Sequence, residues 1–317
     1  MSRQILVTGA NGFVGQHLCA DLLTRGWAVR AAVRDVDRAV VPAGVQVVAI
    51  SDPLDASSWR SVANGCTEVV HLIAKTHGRA VGNIEEFRTV NVAITAALLD
   101  ALGDQVRRFC YLSSIKAVGE GSDRPYTEDV PCTPVDSYGV SKAEAERLVL
   151  ASAHGTRSVV VRPPLVYGPG VGGNFLRLME AVWKRRPLPV GRVSAQRSMI
   201  YVRNLTDAIV RTLEHDAAPG EVFHVADTTP WEIRSLLQHI GQLLDRPPRL
   251  LPVPPAALLL AGRVTGRSDQ VRRLTASLLV DTAKIRSTLD WRPTVGERQA
   301  LEETAAWFRT AHLPTPG

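Results

Sequence analysis

The chain has 317 residues, of which 45% are hydrophobic and 21% are charged, and its formal net charge at pH 7 is +6. This composition is typical of a globular chain with a sizeable core and excludes a disordered polar one. The Lys and Arg residues are scattered and form no basic arm, so we expect no nucleic-acid partner and attribute the excess charge to a high Arg content.

The start of the chain and its cysteines indicate the compartment. The first apolar run begins at Gln4, which leaves no room for a signal peptide, and the apolar stretch Pro254–Ala261 is too short to span a bilayer. The four cysteines are far apart and form no Cys-x-x-Cys pattern. We therefore expect a cytoplasmic protein with no disulfide, no metal and no membrane insertion.

Apolar runs of four to six residues alternate with helical patterns through the first half of the chain. Continuous Val, Ile and Leu runs are typical of strands buried on both faces of a parallel sheet. The alternation predicts an α/β fold with a Rossmann-type, doubly wound parallel sheet. The predicted elements are strand Gln4–Val7, helix Gly15–Arg25, strands Ala28–Val33, Val45–Ile50 and Val69–Ala74, helix Glu85–Leu102, strand Arg108–Ser113, helix Ser141–Ala153 and strand Ser158–Val161.

From about Arg162 the prolines and glycines cluster and the regular patterns shorten, which predicts a smaller α+β region. We place a first domain over residues 1–165 and a second region over residues 166–317, with part of 199–226 returning to the main sheet. The elements predicted there are strands Met199–Val202 and Val222–Val225 and helices Asn204–His215, Trp231–Leu244 and Val295–Thr310.

Three glycines, Gly9, Gly12 and Gly15, stand at every third position of the stretch LVTGANGFVG, directly after the first strand. In that place glycine permits a tight turn and a close approach of the backbone to a diphosphate, and the N-terminus of the following helix favours negative charge. The pattern favours a dinucleotide site over a plain turn.

The end of the second strand bears on which dinucleotide binds. An acidic residue there would bind the adenosine ribose and select NAD, but Val33 occupies the position and Arg34 follows it. Because Arg pairs with a 2′-phosphate, the pair favours NADP(H) over NAD(H); the alternative is a surface arginine that stacks on adenine in an enzyme of dual specificity. Asp52, after the third strand, is placed either to bind the adenine amino group or to serve as an ordinary loop aspartate.

Tyr138 and Lys142 form a Tyr-x-x-x-Lys pair whose spacing puts both side chains on one face of a helix. A lysine ammonium beside a phenol, together with an oxidised nicotinamide ring, stabilises the phenolate and is expected to bring its pKa toward neutrality. Ser114 ends a strand and is predicted to reach the ligand crevice, where its hydroxyl can bind the reacting oxygen.

Together these motifs resemble the extended short-chain dehydrogenases/reductases of the nucleotide-sugar type, in the NAD-dependent epimerase/dehydratase family. The resemblance covers nearly the whole chain. It rests on TGANGFVG, HLIA, Asn91, LSSIKAVGE, YGVSK, VRPPLVYGPG and VDTAKIRSTLDW.

The resemblance implies that the first domain binds NAD(P) and that the second region binds a UDP-sugar. It implies the catalytic triad Ser114, Tyr138 and Lys142, with Ser114 and Tyr138 also touching the substrate beside Asn174 and Arg197. Taken alone, Asn91 has the alternative of a helix-surface amide and Arg197 that of a solvated side chain. The implied cofactor contacts are Gly9, Asn11, Gly12, Phe13, Val14, Gly15, Arg34, Asp52, Pro53, Leu72, Ala74, Asn91, Tyr138, Lys142 and Pro163.

Within this family the residues after Ser114 distinguish the reactions. A 4,6-dehydratase would place an Asp-Glu pair where this chain has Ile115 and Lys116, which argues against dehydration. The motifs look most like reductases that form UDP-N-acetylquinovosamine from the 4-keto-6-deoxy sugar in bacterial surface polysaccharide synthesis, and Arg34 favours that reaction. The alternatives are a 4-epimerase of UDP-GlcNAc or UDP-glucose with tightly bound NAD and, more distantly, a sensor or scaffold that binds NADPH without turnover. A third alternative is reduction of a steroid or flavonoid-like ketone, against which Asn174 and Arg197 favour a nucleotide substrate.

The family usually dimerises through two helices of each subunit, and the matching helices here are Glu85–Leu102 and Ser141–Ala153. Small apolar residues on the first helix suit close packing against a second copy, although the same residues would suit packing on the sheet. We therefore expect a homodimer.

Overall fold

The computed structural model describes residues 3–76, 83–122, 124–266 and 268–312. Its strands are β1 Gln4–Thr8, β2 Ala28–Val33, β3 Gln46–Ala49, β4 Glu68–His71, β5 Arg108–Leu112, β6 Ser158–Arg162, β7 Leu165–Tyr167, β8 Pro187–Leu188, β9 Gln196–Arg197, β10 Met199–Tyr201, β11 Val222–His224, β12 Trp231–Glu232 and β13 Arg249–Leu250.

Seven of these strands form one parallel sheet in the order β11-β6-β5-β4-β1-β2-β3. The central strand β1 pairs with both β2 and β4, so that Ile5 lies between Val29 and Glu68. The strand order reverses at β1, and the carboxyl ends of β1 and β4 therefore flank a crevice in which ligands of such sheets bind. The predicted doubly wound α/β fold is confirmed.

Helices cover both faces of the sheet and build most of the second half of the chain. They are α1 Phe13–Thr24, α2 Ala56–Ala63, α3 Ile84–Arg88, α4 Ile94–Ala101, α5 Ser137–Ala151, α6 Gly173–Trp183, α7 Val202–Glu214, α8 Ile233–Leu243, α9 Pro255–Val264, α10 Ser268–Thr275, α11 Ala283–Leu289 and α12 Glu297–His312. No helix in the described ranges combines the length and the apolar character that crossing a bilayer takes.

The sheet separates two apolar clusters. Side chains of α1, α7 and α11 pack on one face, and side chains of α2, α4 and α5 pack on the other. A third cluster fills the second half of the chain between α6, α8 and α12. Cys19, Cys66 and Cys110 are buried in the two clusters at the sheet, as small apolar residues commonly are, whereas Cys132 is exposed.

Several element boundaries differ from the predicted ones. The helix predicted to begin at Ser141 begins at Ser137, because Asp136 caps it and accepts a hydrogen bond from the backbone N–H of Gly139 at 2.7 Å. The polar first turn hid this start from a search for apolar periodicity. The predicted helix Glu85–Leu102 is interrupted by a π-helical turn at Thr89–Ala93, which joins α3 to α4.

Several elements were missed altogether. Helix α2 follows an Asp55 cap but is only eight residues long, and α6, α9, α10 and α11 lie in the Pro-, Gly- and Arg-rich second half. The two-stranded ladders formed by β7 with β10, β8 with β13 and β9 with β12 are only two or three residues long. Their pairing depends on tertiary contacts, which no local pattern reveals.

A buried carboxylate joins the main sheet to the second half. Asp227 lies just after β11, which pairs with β6 in the main sheet. Its carboxylate accepts hydrogen bonds from the Tyr167 hydroxyl at 3.0 Å, the Tyr201 N–H at 2.9 Å and the Asn204 amide at 2.8 Å. Asn204 also donates to the carbonyl of Val295 at 2.9 Å, just before α12. The division at residue 165 stays a prediction.

Burial raises the pKa of Asp227 from 3.8 to about 6, although its three donors oppose the rise. The pKa of Asp227 is higher in the folded protein than in the unfolded chain, so the protonated carboxyl stabilises the fold. This contribution to stability is complete below about pH 4 and is lost as the pH rises through about 6. We expect the stability advantage of the wild type over Asp227→Asn to shrink by about 3 kcal/mol between pH 4 and pH 7. Urea unfolding of both proteins across this pH range measures it, and a difference that does not change with pH would contradict it.

Candidate active site

The turn between β1 and α1 is built for a close approach of backbone. Gly9 has a φ of +71°, and a Cβ there would lie 3.0 Å from backbone atoms of Leu72 and Ile73. A Cβ on Gly15 would lie 2.3 Å from the Gly9 carbonyl oxygen. Gly12 is the N-cap of α1 and has no side chain that could compete with an anion for the first-turn N–H groups. The turn therefore fits the diphosphate of a dinucleotide.

The residues around the glycines fix the start of α1. The Asn11 side chain accepts a hydrogen bond from the Val40 N–H at 3.1 Å. Phe13 lies beside Gly170, and Val14 packs between the clusters of the two halves. One turn later His17 hydrogen-bonds the carbonyl of Pro169 at 2.7 Å. The loop after β7 thus lies against the first turns of α1.

The two residues predicted to recognise adenosine lie beyond the ends of β2 and β3. Val33 is buried as the last residue of β2, and Arg34 is exposed directly after it. Asp52 is exposed and its carboxylate accepts the Leu54 N–H at 2.9 Å, which closes a local turn. The carbonyl of Pro53 accepts the Trp59 indole N–H at 2.9 Å. These contacts hold the loop after β3, and the roles of Arg34 and Asp52 stay predictions.

A buried histidine, which the sequence analysis did not single out, fixes the end of β4. His71 hydrogen-bonds the Thr8 hydroxyl at 2.7 Å and the Thr95 hydroxyl at 3.0 Å. Burial lowers the pKa of His71 to about 3, so the ring is neutral at physiological pH. The Leu72 N–H donates to the Thr8 hydroxyl at 3.2 Å. This network sets the spacing between β1 and β4, and Ala74 follows in the same segment.

Asn91 does not lie on the helix surface. It is fully buried in the π-helical turn, where its amide oxygen accepts the Lys75 N–H at 2.7 Å and its nitrogen donates to the Lys75 carbonyl at 3.1 Å. The same nitrogen donates to the Ser141 hydroxyl at 2.8 Å, and Ser141 in turn donates to the Tyr138 carbonyl at 2.8 Å. Asn91 therefore holds the segment after β4 against α5.

The three predicted catalytic residues converge beside the crevice. Ser114 follows β5, and the next residue, Ile115, donates its N–H to the carbonyl of Pro163 at 2.9 Å. The Ser114 hydroxyl hydrogen-bonds the half-buried phenol of Tyr138 in the first turn of α5. Lys142, one turn further on, is buried and donates its Nζ to the Leu112 carbonyl at 2.6 Å.

The expectation that Lys142 and an oxidised nicotinamide ring together bring the pKa of Tyr138 toward neutrality stays a prediction, because in the chain by itself this pKa is raised. Burial raises the pKa of Tyr138 to about 12; the Ser114 hydrogen bond opposes this rise and the charge of Asp136 adds to it. Burial also lowers the pKa of Lys142 to about 7, opposed by Glu146. A positive charge beyond those of the chain is needed to stabilise the phenolate.

A buried ion pair lies beneath Lys142 and was missed from the sequence. Glu146, one turn after Lys142, binds Arg162 of β6 with an N–O distance of 2.6 Å, and both side chains are almost fully buried. The Ser113 hydroxyl also donates to Glu146. These contacts tie α5 to β6 and to the end of β5. Removing either charged partner would leave the other charge buried and uncompensated.

A second ion pair fixes the start of α5. Lys116 Nζ lies 2.7 Å from the Asp136 carboxylate, which caps α5, and 2.5 Å from that of Glu120. Burial acts to raise the pKa of Asp136, but the hydrogen bonds from Lys116 and Gly139 lower it below its usual value. From the sequence, Lys116 mattered only because it stands where a dehydratase would have an acidic residue. In the structure it connects the Ser114 loop to the turn that carries Tyr138.

The predicted substrate residues lie in the second half. Asn174 is exposed in the first turn of α6, and Arg197 is half-buried in β9, which pairs with β12. Arg197 also bridges to Leu278, whose side chain packs against Ile115 and Val118 of the loop after Ser114. The segment around Leu278 thus connects β9 to the loop after Ser114, a contact that the sequence did not reveal.

The described ranges contain no group of three or more His, Cys, Asp and Glu side chains placed to hold a metal ion.

Residues 5–226 match the family model described as "NAD dependent epimerase/dehydratase family". UDP-glucose 4-epimerase of Vibrio cholerae is 35% identical over 322 residues, which cover 98% of this chain and 97% of the relative. GDP-6-deoxy-D-mannose reductase of Pseudomonas aeruginosa is 26% identical over 95% of each chain. The crystal structure of UDP-glucuronic acid 4-epimerase from Bacillus cereus in complex with NAD shares the fold, with a TM-score of 0.80, 22% identity and coverage of 98% of this chain and 99% of that one.

The Gly15 contact generates a test of the turn. Because a Cβ at this position meets backbone rather than a flexible side chain, Gly15→Ala must displace α1 from β1. We expect the free energy of unfolding, measured in urea, to fall by about 2 kcal/mol. Gly296→Ala is the matched control, since its Cβ would meet nothing within 4 Å. Equal stability of the two variants would refute the close approach.

Proposed function

The chain belongs to the NAD-dependent epimerase/dehydratase family, and on this basis we propose that it moves a hydride between NAD(P) and C4 of a UDP-hexose or UDP-N-acetylhexosamine. The observation that carries the proposal is the convergence of Ser114, Tyr138 and Lys142 beside the crevice at the ends of β1 and β4. The similarity to an enzyme named for UDP-glucose and for C4 supports the substrate class and the reacting carbon.

The glycine turn would hold the cofactor diphosphate, with Asn11, Phe13 and Val14 at the start of α1. Leu72 and Ala74 would border the nicotinamide half, with Asn91 holding the backbone behind them and Pro163 beneath the catalytic loop. Arg34, Asp52 and Pro53 would meet the adenosine end. The bound cofactor supplies a hydride acceptor and donor together with the positive ring charge of its oxidised form.

The residues of the chain move the proton. Tyr138 exchanges a proton with the sugar C4 oxygen, and Ser114, which hydrogen-bonds the phenol, also binds that oxygen. Lys142, with its pKa near 7, supplies part of the positive charge that a phenolate requires. Asn174 and Arg197 would bind the UDP moiety, where an Arg can make bidentate bonds to diphosphate oxygens. Dehydration is disfavoured because Ile115 and Lys116 stand where it needs acids.

We place 4-epimerisation first, because a UDP-glucose 4-epimerase aligns over nearly the full length of both chains at 35% identity. The second candidate is reduction of a 4-keto-6-deoxy sugar in surface polysaccharide synthesis. It is favoured by Val33 and the exposed Arg34, which suit NADP(H). A reductase is also among the relatives.

We further propose that residues 1–165 bind the cofactor, that residues 166–317 bind the substrate and that the protein acts as a cytoplasmic homodimer. Ala96 and Leu99 of α4 line an open groove together with Leu148 and Ala151 of α5. This groove suits the α4 and α5 helices of a second copy.

For an epimerase, we expect denatured protein to release NAD and the native enzyme to convert UDP-glucose to UDP-galactose, or UDP-GlcNAc to UDP-GalNAc, without added cofactor. Tyr138→Phe is expected to retain the nucleotide and lose at least about 100-fold in turnover. Nucleotide analysis and product chromatography check both expectations.

An enzyme without bound NAD that oxidises NADPH only with a UDP-4-keto-6-deoxy sugar would identify the reductase. Turnover unchanged by Tyr138→Phe would exclude the proposed acid–base role, and nucleotide binding with no turnover in either assay would favour a sensor.

The Lys116 pair generates a prediction about pH. Asp136 raises the pKa of Tyr138, and Lys116→Met leaves that carboxylate without its ammonium partner. We expect turnover at pH 7 to fall about fivefold, with the acidic limb of the pH profile moved to higher pH and the deficit shrinking as the pH rises.

Lys116→Arg keeps the positive charge and is expected to restore the wild-type profile. A loss in Lys116→Met that is the same at every pH would show that Lys116 acts only on structure and not on the charge near Tyr138.

A further inference from the structure

Helix α9 is apolar on the side that it turns to solvent. Leu258 packs against the core of the second half and Gly262 is buried, so these two residues mark the inner side of the helix. On the outer side Leu260 is 63% exposed, Val264 is 80% exposed and Leu259 is 37% exposed. A helix of this kind leaves its apolar side without a partner in the monomer.

The exposed apolar surface extends beyond α9. Leu251 precedes the helix and Leu274 lies in α10, and both are exposed. In the described part of the chain, five of the eleven exposed large apolar side chains lie between residues 251 and 274. Single exposed apolar residues need no explanation, but such a concentration marks an interaction surface. We call this surface the α9 patch: Leu251, Leu259, Leu260, Val264 and Leu274.

Basic residues surround the entry to α9. Strand β13 pairs with β8 so that Arg249 lies opposite Pro187. Arg186 directly precedes Pro187 in the chain. The Gly191 N–H donates to the Leu251 carbonyl at 2.9 Å, which brings the neighbouring Arg192 to the same edge.

The side chains of these arginines are exposed, as is Arg263 in the last turn of α9. The acidic residues of segments 180–192 and 245–264 are Glu180 and Asp245, and each pairs with a basic side chain. Positive charge therefore lies at the entry to α9 and in its last turn.

We propose that the α9 patch docks on the surface of a bilayer that contains anionic phospholipids. A short helix with an apolar outer side and arginines at its margin lies in a lipid interface without spanning it, since the leucines enter the acyl boundary while the guanidinium groups meet phosphate. Charge complementarity selects this occupant over a second copy of the chain, because two copies would bring the same arginines together. A protein partner in place of lipid would leave the anionic vesicles without bound protein.

The α9 patch is connected through the chain to the candidate substrate site. Helix α10 leads through residues 276–280, where Leu278 bridges to Arg197 and packs on Ile115 and Val118. The α9 patch is therefore continuous in the chain with the segment between β9 and the catalytic loop. The proposal itself does not depend on the reaction, because its test measures lipid binding alone.

The test is sedimentation of the full chain with vesicles of phosphatidylcholine alone and with vesicles that contain one quarter phosphatidylglycerol. We expect the protein to bind the vesicles that contain phosphatidylglycerol. High salt, or vesicles of phosphatidylcholine alone, should weaken this binding. Leu260→Glu is expected to lower the partition coefficient about tenfold. Arg186→Glu and Arg249→Glu are each expected to lower it about fivefold.

Val40→Glu is the matched control, because Val40 is also 63% exposed but lies in the loop after β2, and it is expected to bind as the wild type does. Circular dichroism establishes that each variant is folded. Absence of binding to anionic vesicles, or an equal loss in Val40→Glu, would overturn the proposal. A change in sedimentation coefficient of Leu260→Glu without vesicle binding would overturn it in favour of a second copy.

Discussion

The close approach of α1 to the end of β1 is the constraint on which the remaining geometry depends. A Cβ at Gly15 would lie 2.3 Å from the Gly9 carbonyl oxygen, so the helix can start directly against the turn only if no side chain intervenes. That start sets the direction of α1, which then packs on α7 across one face of the sheet. It also lets His17 reach the Pro169 carbonyl, so the contact that shapes the cofactor turn helps to place the loop after β7.

Helix α5, which carries the candidate catalytic residues Tyr138 and Lys142, is held at two points, and the two points have different electrostatic effects. At its start, the Asp136 cap and Lys116 place Tyr138 beside Ser114, and the Asp136 charge acts against deprotonation of the phenol. Deeper in the protein, Glu146 and Arg162 fix the helix to the sheet, and Glu146 favours the charged form of Lys142. Burial opposes ionisation of both Tyr138 and Lys142, so the site is strongly responsive to any positive charge brought into the crevice.

The sequence predicts what depends on local patterns and misses what depends on contacts. The strands of the main sheet were found to within a few residues because buried parallel strands are continuous apolar runs, and the glycine turn was found because backbone geometry restricts those positions. The apolar pattern put the start of α5 at Ser141, four residues late, because the first turn is polar and depends on Asp136; only the Tyr138–Lys142 spacing indicated the earlier start. The roles of His71, Lys116 and Glu146 were missed because each depends on a partner that is distant in the sequence. The hydrophobic pattern does not show that these partners lie close together in space.

The described part of the second half forms only two-stranded ladders of its own, so its position relative to the loop after Ser114 rests on a few connections. Asp227 and Asn204 fix β7, β10 and the start of α12 to the end of β11. The segment around Leu278 fixes β9 to the loop after Ser114. Because α10 leads into that segment, α9 and α10 are continuous in the chain with the contacts that Leu278 makes to Arg197 and Ile115. The glycine turn has a different support, since it is built on β1 and α1 of the main sheet and meets the second half through His17 and Pro169.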